Sequence, residues 1–315
     1  MTRATSPADR TIHRPPAGDL ALLGVAILAV STSAPMIREA DAPTLAIAFW
    51  RNALACLVLW PWVAARQRVE LRTLTRSERR RSMLAGLWLA VHFATWVPSL
   101  SFTSVASSVA LVATQPVWAA LLARARGAHV PRQTWVGIAV ALTGVVVLSG
   151  VDFSLSGRAL FGDALALIGG VMAAVYVTIG ADVRRTVTTS VYTAVCYSVA
   201  AVVLAGICVG GRQPLAGYDG RTWLLLVAMA IGPQLLGHSV INRVLRSTSA
   251  TVVSVAILFE IVGSAFLAWA WFGEAPPAGA YPAAVLIGAG IVLVVRSGGL
   301  PGESTTATAA PLAAD

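Results

Sequence analysis

An acidic residue, Glu260, lies near the middle of residues 248–274, a largely apolar stretch that is long enough to cross a bilayer. A charged side chain at that depth costs about 2.5–3.5 kcal/mol on insertion scales, so it normally faces protein or a water-filled cavity. Glu260 could therefore contact a substrate or carry a proton in a central cavity. The alternative is a structural acid that Arg51 or helix ends hold in place. Residue type and depth leave both roles open.

A basic residue, Arg51, lies inside a second apolar stretch, residues 42–65, too deep for its side chain to reach the interface easily. It could bind an anionic group of a substrate, or it could be the buried partner of Glu260. Removing one member of a buried ion pair costs about 3–5 kcal/mol. We favour the structural role for Arg51 and keep substrate binding as the alternative.

Five further polar or aromatic residues could line a pocket. His92 and His238 occupy matching places in two apolar stretches, and a histidine that titrates suits proton coupling. Trp96 and Asn242 each follow one of these histidines by one helical turn, so each pair shares a helix face. Gln115 stands where a repeat of the chain would place Glu260. The alternative for all five is hydrogen bonding and packing between helices.

Other kinds of chemistry find no support in the sequence. Cys56, Cys196 and Cys208 lie in apolar segments, with no CxxC motif and no Cys/His metal spacing. The chain also lacks a phosphate-cradling glycine loop and a G-x-S-x-G motif. We therefore expect no metal, no cofactor and no enzymatic activity.

Composition places the chain in a membrane. Of its 315 residues, 57% are hydrophobic and only 12% are charged, and the mean hydropathy is +0.76. Soluble domains carry about 25% charged residues. A net charge of +9 would suggest nucleic acid in a soluble protein. Here the arginines lie between apolar runs, which favours the positive-inside rule and a lipid bilayer over a nucleic-acid partner.

Ten apolar stretches are near the length of about 20 residues that a helix needs to cross a bilayer. They are residues 18–37, 42–65, 83–98, 104–125, 133–150, 160–181, 188–210, 222–244, 250–272 and 280–297. Residues 1–17 are predicted to be a polar N-terminal tail, and residues 298–315 a disordered C-terminal tail. The first span is predicted to be an uncleaved helix because nine more spans follow it.

The chain repeats itself at an offset of about 145 residues. Gly18-Asp19 matches Gly162-Asp163 at the start of the first and sixth spans, and His92 matches His238 in the third and eighth. This predicts two five-helix halves, residues 18–150 and 158–297. Because five is an odd number, the second half must enter the membrane from the opposite side, and such inverted repeats are a hallmark of secondary transporters.

The arginines agree with that inversion. Seven lie between the second and third spans and only two between the seventh and eighth. The region around the loop between the fourth and fifth spans holds three (Arg124, Arg126 and Arg132), and its counterpart after Glu274 holds none. By the positive-inside rule, each comparison places both termini in the cytoplasm.

With these motifs the chain resembles the EamA family of the drug/metabolite transporter superfamily, over residues 18–297. The resemblance rests on Phe49-Trp50-Arg51-Asn52, Gly162-Asp163, Phe259-Glu260, Gly273-Glu274, and the glycines Gly137, Gly144 and Gly290. It departs from the family where Ile261 replaces a frequent proline, and where Gly127 is followed by Ala128-His129 instead of glutamate.

The resemblance implies an all-α integral membrane carrier of ten helices in the bacterial inner membrane. Its expected activity is export of small metabolites, amino acids or drug-like compounds by alternating access, with protons as coupling ions. One alternative is an uncoupled facilitator on the same fold, and another is a non-transporting membrane scaffold or sensor. Substrate identity, transport direction and oligomeric state stay open.

Overall fold

The computed structural model describes residues 16–99, 101–103, 105–149, 156–273, 276 and 278–297. The predicted C-terminal tail, nearly all of the predicted N-terminal tail, and Glu274 lie outside these residues. Regular structure in the described part is helical throughout. The helices are α1 (Ala17–Ser31), α2 (Ser33–Glu39), α3 (Thr44–Arg66), α4 (Arg68–Thr73), α5 (Arg76–Ser99), α6 (Val105–Val112), α7 (Gln115–Ala125), α8 (Arg132–Ser149), α9 (Gly157–Val183), α10 (Thr189–Gly210), α11 (Gly220–Met229), a π-helical segment (Ala230–His238), α12 (Ser239–Val244), α13 (Ala250–Ile257), α14 (Phe259–Phe272) and α15 (Ala280–Ser297).

Eight helical stretches in the described part are long and apolar enough to cross a membrane. They are Ala17–Glu39, Thr44–Arg66, Ser107–Ala125, Gly157–Val183, Thr189–Gly210, Gly220–Val244, Ala250–Phe272 and Ala280–Ser297. The other two predicted spans differ from these. Residues 83–98 lie on α5, whose first turns carry arginines, and residues 133–150 fall largely on a shorter apolar helix, Arg132–Leu148.

Helices at corresponding places in the two halves pack directly against each other, and they run antiparallel. α8 and α15 meet through glycines: Gly137 faces Gly290 and Val294, whereas Gly144 faces Ala283 and Ile287 further along. The small residues let the two backbones approach closely, as is common between membrane helices.

α3 and α10 form a second antiparallel pair. The indole nitrogen of Trp60 donates to Ser198 Oγ at 2.9 Å, and Ser190 Oγ donates to Gln67 Oε1 at 2.6 Å. Near the other end of α3, Trp50 donates to the carbonyl of Leu215, just beyond α10. Residue numbers therefore increase along α3 in the direction in which they decrease along α10, so the two helices are antiparallel.

The Gly-Asp motif that opens each half makes the same contact in both. Thr103 of the first half donates its hydroxyl proton to Asp163 of the second at 2.7 Å. With the roles of the two halves exchanged, Ser247 of the second half donates its hydroxyl proton to Asp19 of the first. Each aspartate thus fixes the turn that precedes a broken helix of the opposite half.

Besides a small cluster that packs Ile47 of α3 against Leu225, Leu226 and Met229 of α11, two larger hydrophobic clusters fill the interior of the described part. The larger one joins α1, α3, α5, α9, α10 and α12 around the fully buried rings of Tyr192 and Tyr197. The smaller one joins α7, α8, α13 and α15 around Ile138 and Ile287.

Candidate functional site

Arg51 is the centre of a buried polar network. Its side chain projects from α3 and is 4% exposed. Its Nε donates to Gln234 Oε1 at 2.8 Å, and its Nη1 donates to Ser33 Oγ at 3.2 Å. Gln234 in turn donates to Asn52 Oδ1 at 3.1 Å. The network ties α2, α3 and the π-helical segment together.

One side of the Arg51 guanidinium remains open. Its Nη2 is buried and has no hydrogen-bond partner among the described residues, while the ring of Phe93 lies 5.4 Å from the guanidinium carbon. A buried cationic donor normally has a partner because leaving it unpaired is expensive. This nitrogen is therefore available to an anionic or carbonyl group that enters from the interior.

Arg51 and Glu260 do not form the ion pair that the sequence suggested as one alternative. The polar partners of Arg51 are instead Gln234 and Ser33. Arg51 and His92 both lie against the ring of Phe93, which is centred 5.4 Å from the guanidinium carbon and 5.1 Å from the imidazole centroid, so the two residues border one interior region.

Glu260 lies in the first turn of α14, where the positive end of the helix dipole favours an acid. Its backbone carbonyl accepts a hydrogen bond from Ser31 Oγ at 3.4 Å, which joins the end of α1 to the start of α14. The residue is half-buried, and its carboxylate has no hydrogen-bond or ion-pair partner within the described part of the chain. No hydrogen bond or ion pair from the described residues therefore holds the Glu260 carboxylate in place.

The helices that carry Gln115 and Glu260 are broken at equivalent points. α6 ends two residues before Thr114 and α7 begins at Gln115; α13 ends before Leu258 and α14 begins after it. At each break an i→i+3 backbone hydrogen bond tightens the chain, from Thr114 N to Leu111 O and from Leu258 N to Val255 O, both at 3.1 Å. Pro116 accounts for the first break. The second occurs without a proline.

Gln115 connects the two broken helices. Its amide nitrogen donates to Ser254 Oγ on α13 at 3.0 Å. Next to it, Trp118 donates its indole proton to Thr114 Oγ1 at 3.0 Å. The sequence-predicted residue Gln115 thus lies against the helix that leads to Glu260, with no direct hydrogen bond to Glu260 itself.

His92 and Trp96 form one wall of the interior region. Their rings stack with centroids 5.7 Å apart and an interplanar angle of 14°. His92 Nδ1 lies 2.9 Å from the carbonyl oxygen of Gly169 on α9, and because a carbonyl only accepts, this nitrogen is the donor of the hydrogen bond. The Trp96 indole nitrogen is buried without a hydrogen-bond partner.

His238 and Asn242 lie on the opposite, second-half side. His238 closes the π-helical segment, which includes Pro233, and its ring makes no hydrogen bond to described residues. Asn242 donates from Nδ2 to Tyr176 Oη at 2.7 Å and to the His238 carbonyl at 2.8 Å, while its Oδ1 is buried without a partner. π-helical turns occur frequently at functional sites.

The sequence interpretation missed four polar residues of this region: Ser33, Asn52, Gln234 and Tyr176. Gln234 had a usable signal, because an amide directly after a proline is unusual inside an apolar span. Asn52 follows Arg51 in the Phe-Trp-Arg-Asn motif and could also have been included. Tyr176 had no such signal, since its hydroxyl matters only through its contact with Asn242.

The described part of the chain contains no cluster of metal-binding side chains. Within the ranges that the structure describes, no three His, Cys, Asp or Glu side chains are close enough to hold a metal ion. Cys56, Cys196 and Cys208 are free thiols, and Cys56 lies 3.4 Å from Ser198 Oγ.

Comparison with known proteins identifies the family. The sequence model of the EamA-like transporter family matches residues 17–150 and again residues 160–296. The chain belongs to the EamA-like transporter family. The resemblance inferred from the sequence is confirmed, and two EamA repeats in an all-helical, multi-pass membrane protein follow from the match and the apolar helices.

The fold of this EamA-like protein also occurs in a solved crystal structure. The two superpose with a TM-score of 0.76 over 89% of this chain and 97% of the other, at 20% sequence identity. At that identity the likeness shows the shared fold alone. No curated protein matches the sequence.

Proposed function

We propose that this EamA-like protein is a secondary active exporter of small metabolites, amino acids or drug-like compounds, which works by alternating access. The observation that carries the proposal is the pair of broken helices, interrupted before Gln115 in the first repeat and before Glu260 in the second. Discontinuous helices at corresponding points of two repeats are the best pointer to a transporter's binding site.

The proposed architecture is ten spans in two inverted repeats, residues 18–150 and 158–297. The antiparallel packing of α8 on α15 and of α3 on α10 supports it, because a repeat that is turned over in the membrane makes counterpart helices antiparallel. The exchanged contacts of Asp19 and Asp163 support it as well. The excess of arginines on one side favours cytoplasmic tails, residues 1–17 and 298–315, in a bacterial inner membrane.

The proposed substrate and coupling site consists of the seven residues singled out in the sequence. The open Nη2 of Arg51 suits an anionic group of the substrate, while the unpaired carboxylate of Glu260 suits a proton or a cationic group. Trp96 and Asn242 offer an unpaired donor and an unpaired acceptor. His92, His238 and Gln115 complete the set. In this scheme Glu260 binds a proton from one side of the membrane and releases it to the other as the helices rock.

Proton coupling is tested by measuring export from cells that are held at two external pH values. Cells carry the wild type, Glu260→Gln, or Glu39→Gln as a matched control, because Glu39 is an acid that pairs with Arg221 outside the site. The extracellular compounds raised by the wild type are measured at pH 6 and pH 8. We expect pH-dependent export from the wild type and from Glu39→Gln, and pH-independent export from Glu260→Gln.

Other outcomes favour the alternatives. Export by the wild type that follows the substrate gradient and ignores the imposed pH gradient supports an uncoupled facilitator. Unchanged pH dependence in Glu260→Gln refutes the coupling role of this residue. If no compound is raised outside the cells and none is taken up, a non-transporting scaffold or sensor becomes the better account.

A further inference from the structure

An open groove of about 700 Å³ lies on the surface where α5 and α10 pack against each other, and none of its lining residues belongs to the interior site. Its lining changes character from one end to the other. The helix α5 supplies first three arginines and then three apolar residues, in the order Arg76, Arg79, Arg80, Met83, Leu84 and Leu87. The opposite wall is Val199 of α10. We name this feature the arginine groove.

The spacing of these residues forms one continuous stripe along α5. Counted from Arg76 they stand at i, i+3, i+4, i+7, i+8 and i+11, so they share one face of the helix. From Arg79 to Leu87 the helix rises about 12 Å, close to the thickness of one hydrocarbon leaflet, which is about 15 Å. The groove is therefore long enough to follow an acyl chain from the membrane surface towards the midplane.

The three arginines at the polar end of the groove are free to bind a ligand. Arg76, Arg79 and Arg80 are exposed, and none has a hydrogen-bond or ion-pair partner among the described residues. The nearest acid on the same helix, Glu78, is turned back to Thr75: it accepts from the Thr75 amide at 3.0 Å and from its hydroxyl at 2.7 Å. This capping box leaves the charge of the arginines uncompensated.

The other end of the groove is apolar and closed from below. Met83 is 47% exposed on α5, and Val202, one turn beyond Val199 on α10, is 72% exposed. Beneath them Gly86 lies directly against the backbone carbonyl of Cys196, so the two helices touch and form a continuous floor. A side chain at position 86 would separate the helices.

We infer that the arginine groove binds an anionic phospholipid, with its phosphate on Arg76, Arg79 and Arg80 and an acyl chain along Met83, Leu84 and Leu87. Guanidinium groups match phosphate oxygens in a bidentate geometry. Basic pockets between membrane helices bind anionic headgroups in this way. A soluble phosphate compound would satisfy the arginines but would leave the apolar half empty, so the membrane is the source that fits both halves.

The test is native mass spectrometry of the purified full-length protein, incubated with equal amounts of phosphatidylglycerol and phosphatidylcholine. The groove variant changes Arg76, Arg79 and Arg80 to Gln. The matched control changes Arg68, Arg72 and Arg81 to Gln, three exposed arginines outside the groove, so that the same net charge is removed. We expect the wild type and the control to retain phosphatidylglycerol about tenfold over phosphatidylcholine. The groove variant should bind the two lipids equally.

Three results would overturn the inference. Equal loss of phosphatidylglycerol in the groove variant and in the control means that the arginines act only through general surface charge. Equal retention of the two lipids by the wild type means that the groove has no preference. Displacement of phosphatidylglycerol by millimolar glycerol phosphate means that the arginines bind a soluble phosphate. None of these results bears on transport through the interior site, so the two proposals stand or fall separately.

Discussion

Replacing Gly290 with alanine tests the close antiparallel contact between α8 and α15. A Cβ atom at position 290 would lie 2.5 Å from the carbonyl oxygen of Gly137 and 2.7 Å from the Cβ of Ala141. These atoms belong to backbone and to a one-carbon side chain, so they cannot move aside by changing rotamer. The helices must separate, and overpacking of this kind costs about 1–3 kcal/mol.

Gly288→Ala is the matched control for this prediction. It lies one half-turn away on α15, where an added Cβ would have its nearest neighbour, Phe259 Cε2, at 4.0 Å. Alanine raises intrinsic helix stability at both positions by about 1 kcal/mol. Because this gain is common to both variants, their difference isolates the clash.

The assay is thermal unfolding in detergent, followed by the fluorescence of the ten tryptophans. Gly290→Ala should melt below Gly288→Ala, with a shift of about 2–4 °C for each kcal/mol of lost stability. Equal melting temperatures would refute the reasoning, because they would mean that the backbones are not in contact at Gly137 and Gly290.

Two further variants test local interactions. Gln234→Leu removes the acceptor of buried Arg51 and should lower the free energy of unfolding by about 2–4 kcal/mol in a denaturant titration, whereas Gln213→Leu, which breaks no such hydrogen bond, should change it little. Hydrogen bonds from Thr222 lower the pKa of the Asp219 carboxyl below its ordinary 3.8. The wild type should therefore be more stable than Asp219→Asn at neutral pH, and acid titration should remove this difference as the pH falls through the lowered pKa.

The apolar pattern of the sequence was sufficient to predict most of the helical architecture. Eight of the predicted spans coincide with apolar helices long enough to cross a membrane. They could be predicted because a helix that crosses a bilayer needs about 20 mostly apolar residues in a row, and such a run is visible in the sequence. The doubled Gly-Asp and histidine motifs identified the repeats and the family. This family assignment is confirmed by the match over residues 17–150 and 160–296.

The interruptions within the helices were harder to predict. Pro116 and Pro233 mark two of them, but the break at Leu258 occurs without proline or glycine. Local propensity therefore carries no signal for it. Its cause lies in tertiary contacts, such as the hydrogen bond from Ser31 on α1 to the Glu260 carbonyl, which involve residues more than two hundred positions apart in sequence.

The hydrogen-bond partners of buried Arg51 also could not be predicted from the sequence. Charge alone suggested that Arg51 pairs with Glu260, whereas the structure pairs Arg51 with Gln234 and Ser33. Which of several polar residues at membrane depth meets an arginine depends on how the spans are arranged around it. In the proposed mechanism, an acid that makes no ion pair with Arg51 can bind a proton or a substrate.

The most direct test of the proposed transport site is an extracellular metabolite profile. Cells that overexpress the wild type are compared with cells that express Glu260→Ala at the same membrane level and with cells that carry no copy of the gene. We predict that one class of compound accumulates outside only with the wild type, and that class then names the substrate. Profiles that are identical for the wild type and Glu260→Ala, yet different from cells without the gene, would contradict the central role of Glu260.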